Sequence, residues 1–173
     1  MPSFFKNQAL RRALPSACWI NLDIFVLVLG VVGALAQLNC GSPALTQISV
    51  PLSNLQKGDF SGVREALQIV VRTQDDWDNL WSRHTSIAAN PPSTPRMNFA
   101  TEMVVGVFAG EKSTGGYEVE ITRAERRNSR LYLYYLEKSP PRDAMVAQVL
   151  TQPYHLLKIP RDDSPVAFLR ESR

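Results

Sequence analysis

Apolar and polar positions alternate over Ala66–Arg72, with Leu67, Ile69 and Val71 facing one way and Gln68, Val70 and Arg72 the other. That two-residue period predicts a half-buried strand. The period then changes. Trp77, Leu80, Trp81 and His84 recur at i, i+3, i+4 and i+7, one face of an amphipathic helix. Thr73 is placed to cap that helix, Asp76 stands three residues on, and Asp75, Asp76 and Asp78 suit its positive end. The two tryptophans read as core, and His84 as the wet edge of the same face. Asn90–Pro95 holds three prolines and forbids regular structure, so Thr85–Pro95 is a loop.

Met103–Ala109 is a continuous apolar run and suits a central strand buried on both faces. Tyr117–Thr122 alternates, which turns Tyr117, Val119 and Ile121 inward. Glu125–Ser129 reads as a polar turn, and Leu131–Leu136 as the returning strand of a hairpin. Ala147–Ile159 reads as a strand or strand pair bent at Pro153, and Val166–Leu169 as a closing strand. Gly41–Leu52, with Gly41, Pro43 and Pro51, reads as linker, with order beginning near Leu55. Strands outnumber helices about six to one. The predicted fold is mostly β (α+β): a small antiparallel β-sandwich or open barrel with one packed amphipathic helix.

The longest apolar run, Ile24–Leu38, is broken only by Gln37 and follows Lys6, Arg11 and Arg12. A basic stretch, an apolar run of this length and small residues at Ala34 and Ala36 form a secretory signal pattern. Two rivals remain open. Cys18–Leu38 with tilt serves as an uncleaved anchor, or Cys40 is a lipidated first residue. The predicted organisation is a signal peptide or membrane anchor over 1–36, a linker over 37–54 and a β-rich domain over 55–173. Cleavage after Ala36 leaves Cys40 alone, which excludes an internal disulfide and a cysteine metal site.

With 173 residues, 45% hydrophobic and 20% charged, the chain suits one domain with a modest core. The net charge of +3 falls to +1 once Lys6, Arg11, Arg12 and Asp23 are set aside. No basic stripe of the kind nucleic-acid binding needs is left. Arg123, Arg126, Arg127 and Arg130 read as a solvated hairpin tip. A membrane is engaged only through the amino-terminal segment.

No nucleophile elbow, zinc-protease helix, phosphate loop or dinucleotide fingerprint is present. Gly110-Glu111-Lys112-Ser113 lacks the preceding glycine of a phosphate loop. Glu118 and Glu120 share a strand face and read as solvated rather than as a catalytic acid pair. His84 and His155 read as structural. The expectation is therefore no catalytic residue, no metal, no cofactor and no small-molecule substrate. Binding has two candidates. Ser113, Thr114, Gly115, Gly116 and Tyr117 form either a plain glycine turn or a loop that offers its backbone to a partner. Pro140, Pro141 and Arg142 form either a connector or a stiff contact segment.

Trp77–Trp81, Met97–Phe99 leading into Met103–Phe108, Gly110–Tyr117, Pro140-Pro141 and Thr151–His155 together resemble the protease complex subunit PrcB family. The resemblance runs from about Ala66 to Phe168. It implies an exported, envelope-associated bacterial protein without catalytic residues, which docks and stabilises a partner such as a protease. The residues Gln37-Leu38-Asn39 before Cys40 depart from a good lipidation signal. Thr114–Tyr117 also resembles a loop of chagasin-like cysteine-protease inhibitors, small β-sandwiches that plug a protease cleft. That resemblance implies inhibition in place of stabilisation, and a purely structural envelope domain is the further alternative.

Overall fold

The computed structural model describes residues 47–172. The signal or anchor reading of 1–36, Ala34, Ala36 and the lipidation reading of Cys40 lie outside them. The chain runs β1 (Gln47–Val50), β2 (Ser53–Gly58), β3 (Ala66–Val71), α1 (Gln74–His84), β4 (Glu102–Ala109), β5 (Glu118–Arg127), β6 (Arg130–Lys138), β7 (Tyr154–Pro160) and β8 (Val166–Arg170). Two four-stranded sheets form, in the orders β1-β5-β6-β8 and β2-β7-β4-β3. All pairs are antiparallel except β6–β8. Neither sheet closes on itself, so the fold is a β-sandwich with one helix.

Two apolar clusters divide the packing. Met103, Val105, Val107, Leu157 and Ile159 of one sheet meet Val119, Ile121, Ala124, Leu131 and Leu133 of the other. The opposite face of β4 and β7, with Val104, Phe108 and Leu156, packs under Trp77, Leu80 and Trp81 of the helix. This explains why β4 reads as an unbroken apolar run: one face meets a sheet and the other meets α1. Thr73 caps the helix as its spacing predicts, accepting from the Asp76 N–H at 3.2 Å. The indole N–H groups of Trp77 and Trp81 donate to the carbonyls of Pro95 and Pro92 at 3.0 and 2.9 Å. The proline-rich loop is thereby fastened along the helix.

Five expectations are corrected. Pairing begins at Gln47, not near Leu55, because β1 and β2 fall in different sheets and Pro51 marks the corner between them. Val50 and Leu52 pack on the inter-sheet core, which holds the corner in place. The hairpin turn is shorter than Glu125–Ser129, since β5 runs on to Arg127 and Asn128 turns with φ 54°. There Glu125 is buried between Arg123 and Arg127, Arg126 pairs with Asp162, and the Arg123 guanidinium lies 3.5 Å over the Tyr134 ring. These arginines are mostly paired on the sheet rather than free at a tip. Ala147–Gln152 is not a strand, apart from one bridge between Lys112 and Thr151. His84 is buried, with 3% of its surface exposed, rather than at a wet edge.

Candidate functional site

The turn Gly110–Tyr117 joins β4 to β5, and the segment Ser139–Pro153 joins β6 to β7. Both leave the sandwich at the same end, and they are bonded to one another. Lys112 and Thr151 exchange two backbone bonds at 2.8 and 3.0 Å. The Gly115 N–H donates to the Ala147 carbonyl at 2.9 Å, and the Thr151 hydroxyl to the Thr114 carbonyl at 2.8 Å. Gly116 has φ +84°, and a side chain there would meet Pro140 and Val146 at 3.0 Å. Glycine is needed at that position for both conformation and space.

The two sequence-predicted segments therefore come together. Ser113, Gly116, Pro141 and Arg142 are exposed, while Thr114, Gly115, Tyr117 and Pro140 are half-buried in the contact. The Lys112 ammonium lies 5.6 Å from the Tyr117 ring centre, within cation–π range. Three residues that sequence reasoning passed over complete the surface. Met145 is fully exposed, and Val149 and Leu150 of the same segment are exposed too. Val149 and Leu150 fall in the stretch read as a strand, and Met145 lies just before it. Their one sequence signal is apolar side chains in a segment flanked by Pro140, Pro141 and Pro153.

Where the loops meet the sheets, four charges lie together. Lys57 of β2 pairs with Glu118 and Glu120 of β5, and Lys138 of β6 pairs with the same two carboxylates. Hydrogen bonds from Lys138 and Lys57 pull Glu118 down to about 2. Lys57 does the same to Glu120 in a smaller degree. Burial opposes the charge on Lys57, but the two carboxylates outweigh it and its pKa rises. The glutamates are thus half-buried and bridge the two sheets, rather than simply facing solvent. A glycosidase-like pair needs one carboxyl that stays protonated near neutrality. Here both are held ionised.

The histidines are also engaged. The Ser61 hydroxyl lies 2.8 Å from His84 Nδ1 and accepts from the Val63 N–H. His84 Nε2 faces Gln56 Oε1 at 3.3 Å. Burial pushes His84 down to about 4, and its ring stacks edge-on against Tyr154 at 4.3 Å. His155 is buried, accepts from the Ile121 N–H through Nδ1 at 2.9 Å, and is likewise pushed down by burial and by Lys57. Among the described residues, no group of three or more His, Cys, Asp or Glu side chains is placed to hold a metal. No described helix is long and apolar enough to cross a membrane.

Residues 103–160 match the family model described as PrcB C-terminal. The match spans β4 to β7 and contains both loops of the site in full. No curated protein and no solved structure matches the chain.

Proposed function

We propose that this chain, whose residues 103–160 match the PrcB C-terminal family model, is a non-catalytic module that docks a partner protein through the paired loops. The family, named for a protease complex subunit, makes a protease the first partner to test. The observation that carries the reading is the mutual bonding of Gly110–Tyr117 and Ser139–Pro153. It presents Met145, Leu150 and Arg142 on a braced surface rather than on two independent loops. Bracing lowers the ordering cost of binding, and an exposed apolar side chain on a braced segment that also carries a guanidinium makes an effective anchor. The amino-terminal run would deliver the module to the envelope, cleaved or as an anchor.

The test uses the full chain with Met145→Lys, which changes a side chain that packs on nothing. The expected result is an unchanged fold with weakened capture of the partner protease. Equal capture by parent and variant would remove the loop surface from the proposal. Assay of the captured protease with and without the chain then separates stabilisation from chagasin-like inhibition.

A further inference from the structure

Among the described residues the sandwich has four edge strands, and three of them carry a feature that discourages pairing with another chain. β1 has four residues and ends at Pro51. β2 carries Lys57 and a register shift between Asn54 and Gln56. β8 follows Pro165, runs parallel to its neighbour and ends in Arg170. β3 is different. Its six residues, Ala-Leu-Gln-Ile-Val-Val, hold no charge and no proline, and pair with β4 in one unbroken register. Among the described residues, no hydrogen bond outside that ladder takes up a backbone group of Leu67–Val71.

Beside this edge runs a groove walled by α1. Leu67 and Ile69, both half-exposed, line one side, and Asp76, Asn79 and Arg83 line the other. Its charge is uneven. Arg83 pairs with Glu65 at one end. At the other, Asp75, Asp76 and Asp78 make no ion pair among the described residues, and Asp76 and Asp78 bond only to the neutral side chains of Thr73 and Gln74. The nearby Arg72 is turned away to the carbonyls of Asp162 and Ser164.

We propose that the β3 edge and the α1 flank receive an extended segment of a partner protein by strand addition, with a basic side chain of that segment at Asp76. Backbone bonds to the edge give such a segment its affinity, and alternate side chains entering the groove give it selectivity. The acidic turn sets the end at which its cation lies. A second copy of this chain is a poorer occupant. It brings an uncharged β3 and the same acidic turn, and the Arg64 that precedes its β3 is already paired with Glu111. The proposal goes beyond the loop reading and does not depend on it.

The test is hydrogen–deuterium exchange on the full chain with a blocked peptide that alternates threonine and valine between terminal lysines. The expected result is about tenfold slower exchange over Ala66–Val71, and no slowing with the same peptide N-methylated at alternate amides. Asn79→Lys, which adds a cation to the groove wall, should weaken the peptide about fivefold. Three results would overturn the proposal: no slowing at β3, equal binding by the N-methylated peptide, or slowing that follows protein concentration without peptide. The last would assign the edge to a second copy.

Discussion

The Ile121 N–H donates to His155 Nδ1 at 2.9 Å, and this bond ties β5 of one sheet to β7 of the other. It exists because β1 is short. β1 pairs with β5 only from Ala124 to Arg127, so that edge of β5 has no strand neighbour at Ile121. A register shift between Ile121 and Arg123 loosens the ladder at the same place. His155→Leu keeps the bulk and leaves the N–H unpaired in the core. The expected loss is about 1–3 kcal/mol of stability, read by urea denaturation with an unchanged slope.

The same geometry requires a neutral His155, which if protonated would present N–H to N–H, while burial opposes a charge on His84. With His84 pushed from 6.5 down to about 4 by burial, the unfolded chain binds the proton that the folded chain refuses. Stability is therefore full above about pH 6.5 and falls as the pH drops towards 4, by about 2–3 kcal/mol for His84 alone. Glu118, lowered from 4.5 to about 2, adds its own loss only below about pH 4.5. Denaturation curves between pH 7.5 and 4.5 check this, and His84→Gln should flatten that part of the profile.

Gly62 marks a second close contact. Its N–H donates to the His84 carbonyl at 2.8 Å, and a Cβ there would collide with the Arg83 carbonyl oxygen. Gly62→Ala must push the carboxyl end of α1 off the sheet. The expected cost is about 2–4 kcal/mol, larger than that of an exposed helix substitution. Thermal unfolding of the variant tests it, with Ser82→Ala on the exposed face of α1 as the reference expected to change little.

Legibility followed the physics of each segment. The helix announces itself by its period, and β4 by an unbroken apolar run, because burial acts on their own residues. β1 and β2 do not, since Gln47, Ser49, Ser53, Asn54, Gln56 and Lys57 give edge strands a loop-like composition. The end of β5 is hidden by Glu125, Arg126 and Arg127: Glu125 is neutralised within its own strand by Arg123 and Arg127, and Arg126 by the distant Asp162. His84 is buried by Ser61 and Gln56, more than twenty residues away, which no local pattern reports. The loop site was half legible. Adjacent glycines and prolines marked Ser113–Tyr117 and Pro140–Arg142, but Met145 gains its meaning only from the bonds that brace the segment around it.

Gly116→Val tests that bracing. A β-branched residue at φ +84°, against Pro140 and Val146, is expected to part the two loops at a cost of about 1–3 kcal/mol. The sandwich core, which Gly116 does not touch, should remain. Faster amide exchange confined to Lys112–Tyr117 and Ala147–Thr151 is the expected signature.

The most direct measurement of the docking claim is site-specific photo-crosslinking of the full chain in its host. The probe is placed at Met145, and at Ser129 on the opposite hairpin turn as reference. The account predicts one discrete protein product from Met145 that is absent from Ser129 and lost in the Gly116→Val background. No product at Met145, or the same products at both positions, would contradict it.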